Sequence, residues 1–301
     1  MSDSSVFLAV VNPAAGGGRC RKLVRPALDR LRAGGVRLEV AETQAPGEAT
    51  RLVRDAYANG YRKFIAVGGD GTSYEIVNGL FPADENERAT LAFLPLGTGN
   101  SFLRDFSDRG VEFAIEALLA QRSRPCDVLR LTHEKGALHY INLLSMGFSA
   151  DVATLRARRF SGWGEIGYQS SIFISLARFR RRPFPLRVDG APELDQRPCL
   201  FLTFSNSKFT GGTMMIAPKA EVDDGLIEYV RWGPIGRLGL IRNLPTLYDG
   251  THINHPLAER RQAKRVDFQL DAPVDVMVDG EVLTLRCRSL DVLPAALNVV
   301  V

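Results

Sequence analysis

A single carboxylate set among glycines marks the stretch best suited to chemistry: Val67 to Glu75 reads V-G-G-D-G-T-S-Y-E. Glycine lets a backbone take angles that a side chain forbids and lets the main chain approach a ligand closely. Gly68, Gly69 and Gly71 are placed to do both. The apolar run Phe64 to Val67 reads as a strand and Ile76 to Leu80 as part of a helix. Thr72, followed three residues on by Glu75, has the spacing of a capping box and predicts a helix N-terminus just after the glycines. Free N–H groups and the positive end of a helix dipole at such a place seat a phosphate. Asp70 would repel that phosphate unless a divalent cation lay between them, so the stretch suggests a magnesium nucleotide. A plain Asp-Gly turn joining strand to helix reads equally well from these residues alone.

The elements that must position this turn repeat its grammar. Val6 to Val11 is an apolar run ending in Asn12-Pro13 and Gly16-Gly17-Gly18, after which Leu23, Ala27, Leu28 and Leu31 fall at helical spacing. Val36 to Val40 alternates as a strand, Thr43 to Gly47 is a loop, and Ala49, Leu52, Val53, Ala56 and Tyr57 share one helix face. Leu91 to Leu96 is a fourth strand, followed by Gly97-Thr98-Gly99-Asn100. Alternating strands and helices predict an α/β domain with a parallel sheet whose ligand lies beyond the carboxyl ends of the strands. Neither G-x-x-x-x-G-K-[ST] nor a helix-opening G-x-G-x-x-G occurs, so the phosphate cradle is of another type.

From about Asp127 the pattern becomes mainly antiparallel. A hairpin is predicted from Val128 to Thr132 and Leu138 to Leu144, with short strands at Leu186–Val188, Leu200–Phe204, Leu226–Val230, Val266–Leu270, Val274–Val278 and Leu283–Cys287. Helical insertions are expected at Asp151–Phe179 and Ile235–Tyr248. The expected division is residues 1–126, residues 127–296, and a return of 297–301 onto the first domain.

With 45% hydrophobic and 24% charged residues, the 301-residue chain has an ordinary globular composition. It shows no bilayer-length apolar run, and Met1 to Ser5 is too short and polar to begin a signal peptide, so a cytoplasmic location is expected. Cys20, Cys126, Cys199 and Cys287 are far apart and read as free thiols. His252 and His255 read as loop histidines rather than a metal pair, and His133 and His139 as structural. Between Arg156 and Arg182 seven arginines face one acid, Glu165, and are interleaved with Phe160, Trp163, Tyr168, Phe173 and Phe179. Such a patch suits an anionic membrane surface, although solvated helices would carry the same charges.

Taken together, Asn12-Pro13 with Gly16-Gly17-Gly18, Gly68-Gly69-Asp70-Gly71-Thr72 with Glu75, Asn78 and Gly79, Gly97-Thr98-Gly99-Asn100, Asp223-Asp224-Gly225 and Asp279-Gly280-Glu281 resemble the diacylglycerol kinase catalytic family, which includes bacterial lipid kinases and sphingosine kinases. The likeness runs from Val6 to about Val292. It implies an α/β nucleotide-binding domain, a β-sandwich lipid domain and catalysis in the cleft between them. It further implies ATP contacts from Asn12, Thr43, Gly68, Gly69, Asp70, Gly71, Thr72, Glu75 and Thr98, with Glu281 accepting the proton of the lipid hydroxyl and Asp70 serving the magnesium nucleotide. A structural or regulatory divalent ion, magnesium or calcium, would be held by the Asp224 carboxylate with the Glu221 and Leu226 carbonyls. Asp279-Gly280-Glu281 and Asp223-Asp224-Gly225, read without this company, are simple turns. Tyr74 and Ser101 stand where many bacterial members have Asn and Asp.

The resulting expectation is an ATP-dependent lipid kinase of phospholipid biosynthesis, peripheral at the inner membrane surface, acting on diacylglycerol or a similar lipid alcohol. A kinase for a soluble nucleotide or sugar alcohol and a non-catalytic lipid-binding regulator that retains ATP are the alternative readings. A homodimer is compatible with the sequence, and no nucleic-acid partner is expected.

Overall fold

A computed structural model of the chain describes residues 5–81, 88–97, 100–159, 174–175 and 181–301. The chain forms two compact units, residues 1–128 with 294–301, and residues 129–293.

In the first unit, strands β1 (Phe7–Val11), β2 (Leu38–Glu42), β3 (Lys63–Gly68) and β4 (Thr90–Pro95) form a parallel sheet in the order β2-β1-β3-β4. Helices α1 (Arg19–Ala33), α2 (Glu48–Ala58), α3 (Asp70–Leu80) and α4 (Val111–Ala120) accompany it. β1 is buried along its whole length, as its continuous apolar sequence requires of a strand covered on both faces. Phe7, Ala9, Val11, Ile65, Val67, Ala92 and Leu94 pack with Leu28 and Leu31 of α1 and Ile115 and Leu118 of α4. β2 lies at the sheet edge two residues later than its alternation suggests, and Val36 is buried ahead of it. Residues 297–301 carry a further strand end into this unit: Asn298 and Val299 pair in parallel with Thr90 and Leu91.

The second unit is an antiparallel β-sandwich-like domain. The chain enters it along β5 (Ser123–His133), which forms a hairpin with β6 (Gly136–Tyr140). There follow β7 (Leu143–Gly147), α5 (Phe148–Arg159), β8 (Leu186–Val188), β9 (Phe201–Ser205), β10 (Phe209–Thr210), β11 (Met214–Met215) and β12 (Ile227–Trp232). The rest of the domain is β13 (Ala258–Ala263), β14 (Arg265–Phe268), β15 (Val274–Val278), β16 (Glu281–Leu285) and the first part of β17 (Cys287–Val300), whose last residues belong to the first unit. One sheet has the order β13-β12-β9-β7-β15-β16. Opposite it, β14 pairs with β8 and with β17, and Phe204 of β9 meets Phe268 of β14 edge to face at 5.5 Å between ring centroids. The predicted strand Leu138–Leu144 is in fact two strands, β6 and β7, broken at Ile141-Asn142 where the chain moves from one sheet to the other. Most of the predicted helix Asp151–Phe179, and with it the aromatic residues of the arginine-rich patch, lies outside the described residues.

α2 and α3 pack closely because Gly79 has no side chain. A Cβ there would stand 2.7 Å from the Thr50 carbonyl oxygen and 2.8 Å from Val53 Cβ. Neither atom is the mobile end of a side chain. Gly79→Ala is therefore expected to push the helices apart and to lower the midpoint of urea unfolding, at a cost of about 1 to 3 kcal/mol. An unchanged midpoint would show that the pair relaxes freely.

Candidate active site

The parallel sheet reverses its winding direction between β1 and β3, and the loops that leave the carboxyl ends of β1, β3 and β4 meet there. Asn12, the first residue beyond β1, donates its backbone N–H to the Val67 carbonyl at 3.0 Å and its side-chain amide to Thr72 Oγ1 at 3.5 Å. Its Oδ1 accepts the Ala14 N–H at 3.1 Å, turning the chain into a glycine loop. Gly16, Gly17 and Gly18 have φ of +64°, +65° and +87°, left-handed values that favour glycine, and Gly18 caps α1. Behind the β3 turn, Gly97 donates its N–H to the Gly68 carbonyl at 2.9 Å, and a Cβ on Gly97 would lie 2.9 Å from the Gly69 backbone. Main chain touches main chain here, and only glycine permits it.

Asp70 opens α3, with Gly69 in extended conformation before it. Both of its carboxylate oxygens are held from the β4 loop: Oδ1 accepts the Ser101 N–H at 2.8 Å and Oδ2 accepts the Ser101 hydroxyl at 3.0 Å. Burial raises the Asp70 carboxyl pKa, and the two Ser101 hydrogen bonds oppose that rise. Ser101 is itself buried, 1% exposed. Ser101, one of the two residues that depart from the family pattern, is therefore the one that orients the central acid.

The capping box predicted for Thr72 and Glu75 does not form. The helix starts at Asp70, so Thr72 already lies within its first turn, with its N–H on the Gly69 carbonyl at 3.0 Å. Glu75 reaches to another helix instead. Its two oxygens accept the N–H groups of Gly47 at 2.8 Å and Ala49 at 3.0 Å, which are unpaired donors at the start of α2. Glu75 thus supports the site by holding α2 in place, and its carboxylate already has two partners. Thr43, expected beside the nucleotide, lies just beyond β2 with its N–H and hydroxyl on the Val11 carbonyl at 2.8 and 3.3 Å, which brings it to the end of β1. Thr98 lies outside the described residues.

In the second unit, Asp279 and Gly280 form the two-residue turn between β15 and β16, with φ of +47° and +90°. Positive φ at both central positions is the signature of a type I′ hairpin. Glu281 is the first residue of β16, directly after this turn, and is exposed. The preceding acid anchors it. Buried Asp279 accepts the N–H groups of Ile141 at 3.2 Å, Asn142 at 3.2 Å and Leu143 at 2.8 Å. Its own N–H returns to the Leu143 carbonyl at 3.0 Å. These are the amides freed where β6 gives way to β7. Beside them Asn206 donates its N–H to the Asn142 carbonyl at 2.8 Å and its side-chain amide to the Ile141 carbonyl at 3.0 Å. The Asp-Gly pair signalled the turn in the sequence, but nothing there signalled the three amides.

Asp224 has the geometry of a turn residue. Oδ1 accepts the Leu226 N–H at 2.9 Å and Oδ2 accepts Gln262 Nε2 at 3.0 Å, while Gly225 has φ of +71°. Glu221 is an exposed residue of the same loop. Among the described residues, no three His, Cys, Asp or Glu side chains cluster as metal ligands. His252 is 1% exposed rather than lying in an open loop, with Nδ1 and Nε2 at 3.2 and 3.0 Å from the Thr246 and Ile216 carbonyl oxygens. Its ring packs against Phe201 and Trp232. All four cysteines are buried free thiols.

Comparison with known proteins agrees with this geometry. Residues 6–131 match the diacylglycerol kinase catalytic domain, and residues 142–301 match the YegS C-terminal NAD kinase beta sandwich-like domain. The chain belongs to the diacylglycerol kinase and YegS-like family of lipid kinases. A Pseudomonas aeruginosa protein named "Probable lipid kinase YegS-like" is 31% identical over 300 residues, covering 99% of this chain and 95% of the relative. A Mycobacterium tuberculosis protein named "Diacylglycerol kinase" is 26% identical over 295 residues, covering 97% of this chain and 93% of the relative. The crystal structure of a Bacillus anthracis diacylglycerol kinase shares the fold, with a TM-score of 0.72 at 21% identity, covering 100% of this chain and 98% of that one.

The Glu75 contacts make a local prediction. Glu75→Ala should leave the Gly47 and Ala49 amides without acceptors, speed their hydrogen exchange and destabilise the first unit by about 1 to 2 kcal/mol. Unaltered exchange at those two amides would show that α2 does not depend on Glu75.

Proposed function

We propose that this protein is an ATP-dependent lipid kinase that transfers the γ-phosphoryl group to the hydroxyl of diacylglycerol or a related lipid alcohol. The observation that carries the reading is an acid fixed at a helix N-terminus among three converging backbone loops, in a chain that matches lipid kinases along its length. Phosphoryl transfer asks a protein to position its reactants and to neutralise charge rather than to make covalent bonds. The amides of Gly68 to Thr72 and the glycine loop before α1, with Asn12 and Thr43 alongside, are the groups to receive the phosphates of ATP, and Thr98 joins them by resemblance. Glycine leaves space beside that loop: a Cβ on Gly17 or Gly18 would have no neighbour within 4 Å.

The fit of Asp70 to a divalent cation rests on its electrostatics. Burial raises its carboxyl pKa and the Ser101 hydrogen bonds oppose the rise, and among the described residues no positively charged side chain contributes. Each carboxylate oxygen keeps acceptor capacity beyond the one hydrogen bond it makes to Ser101. Magnesium, when bound with the nucleotide, would supply the neutralising charge. Glu281 is the proposed proton acceptor, exposed and mounted on a turn that Asp279 holds rigid. A proton acceptor of this kind contributes about 10²- to 10⁴-fold to a rate. Asp224, with the Glu221 and Leu226 carbonyls, is the proposed seat of a separate structural ion, magnesium or calcium. The enzyme would work as a peripheral protein at the inner membrane surface in phospholipid metabolism. No helix among the described residues is long and apolar enough to cross a membrane.

Glu281→Gln should leave ATP affinity nearly unchanged and lower turnover on diacylglycerol in mixed micelles by about 10²-fold or more. Turnover equal to the parent protein would remove Glu281 from the mechanism.

The two metal roles separate in one titration of thermal unfolding. Asp70→Asn should lose the stabilisation given by magnesium with ATP, whereas Asp224→Ala should keep it and lose the shift given by magnesium or calcium alone. Responses identical to the parent protein in either variant would remove the corresponding ion.

A further inference from the structure

Among the described residues, exposed large apolar side chains are scattered singly over most of the surface, except in one stretch of the second unit. The helix Arg237–Asn243 and the turn of helix Thr246–Asp249 follow β12. Their inner face is anchored: Ile235, Leu240 and Leu247 are buried in a cluster with Trp232, Phe201 and Phe148. Their outer face is also apolar. Leu238 is 83% exposed, Ile241 52% and Tyr248 44%, and Leu238 and Ile241 are three residues apart, on the same side of the helix.

The charges along this face are mainly basic. From Gly233 to Asp249 the chain carries two arginines, Arg237 and Arg242, and one acid, Asp249, all exposed, and Asp249 is engaged by the Thr251 N–H and hydroxyl at 2.9 and 2.6 Å. A third arginine reaches the helix start from the arginine-rich segment: a Cβ on Gly236 would lie 3.6 Å from Arg181 Nη2. Arg181 is exposed as well. Arg182, the next residue, is engaged in an ion pair with Asp151 at 2.5 Å and adds nothing to this face. A basic helix with an outward apolar face and an aromatic at its edge has the chemistry of an interfacial element, which buries its apolar side chains at the headgroup boundary while its arginines meet anionic phosphates.

We propose that the exposed face of residues 237–248 docks this protein on an anionic lipid bilayer. The proposal rests on the lipid-kinase reading for its biological sense, since a membrane substrate requires such a surface, and it gives that reading a place of contact. The buried inner face makes the element a fixed platform, so the outer side chains enter the membrane without the helix leaving its core. Arginine and leucine have separate tasks in it: the charges draw the protein to the surface and are screened by salt, while Leu238 and Ile241 supply the apolar burial that salt does not weaken.

The test is sedimentation with vesicles of phosphatidylglycerol and phosphatidylcholine in equal parts, using the full chain. The double variant Leu238→Ser with Ile241→Ser should reduce vesicle partitioning about ten-fold or more. Arg242→Glu should reduce it too, and added salt should weaken the parent protein more than the Arg242 variant. Leu23→Ser, which removes a similar exposed leucine from α1, should change nothing. Both variants should keep the parent's thermal midpoint and its phosphorylation of a short-chain diacylglycerol presented in detergent micelles. Undiminished vesicle binding by the double variant, or absence of binding by the parent protein, would overturn the proposal. So would a double variant that turns a dimer into a monomer in sedimentation velocity while still binding vesicles, because the face would then belong to a second copy of the chain. Vesicle binding that depends on Leu238 and Ile241 in a protein that phosphorylates no lipid in micelles would leave the docking surface standing and sink the kinase reading.

Discussion

Backbone crowding at the carboxyl ends of β1, β3 and β4 is the constraint to which the rest of the first unit answers. The Gly97 N–H meets the Gly68 carbonyl, and the Gly97 Cα lies so close to Gly69 that no side chain fits between them. This contact ties the β4 loop to the start of α3, so Ser101 is delivered to Asp70 with both a backbone and a side-chain donor. Asn12 closes the third side through Val67 and Thr72. Each loop is thus held by its neighbours rather than by its own sequence. Such pre-positioned main-chain donors are what a phosphate-binding surface needs, because a donor already in place loses little entropy when the ligand arrives.

The second unit applies the same economy with an acid in place of glycine. The chain must leave one sheet at Tyr140 and enter the other at Leu143, and that corner frees successive N–H groups inside the protein. Unpaired buried amides are costly, so the corner is stable only if an acceptor meets them. Asp279 supplies it, and in doing so sets the turn that presents Glu281. The exposed residue proposed for chemistry rests on a buried one whose task is structural. Ser101 and Asp70 stand in a similar relation in the first unit, with a buried residue fixing the more accessible one.

Much of the fold could be read directly from residue order. The strand, glycine loop and helix alternation of residues 6–97 reflects local preference and periodicity, which adjacent residues carry by themselves, although the helix begins at Asp70, one residue before Gly71, the last of the three glycines expected to precede it. The Asp279-Gly280 hairpin was legible for the same reason, since its φ values are those the dipeptide favours. The residues that hold the site were less legible. Thr72 and Glu75 have a valid capping spacing, yet the structure uses Glu75 on α2 because that helix starts with open N–H groups and no side-chain cap of its own. Leu138 to Leu144 looked like one strand because the break at Ile141 is made by an acid far along the chain.

What the sequence by itself determined, then, is the order and kind of the elements, the places where backbone can approach a ligand, and the family, whose motifs are short runs of neighbouring residues. Tertiary structure alone decided which donor meets which acceptor. Asp70 finds Ser101 across 31 positions, Glu75 finds Gly47 across 28, and Asp279 finds Leu143 across 136. It also decided which apolar side chains of residues 237–248 face the core and which face outward, because both sets have the same hydropathy and only packing against Trp232 and Phe201 separates them. The physical reason is common to all four cases. Local sequence sets the backbone's preferences, whereas an unpaired N–H or an uncovered leucine exists only once distant segments have come together.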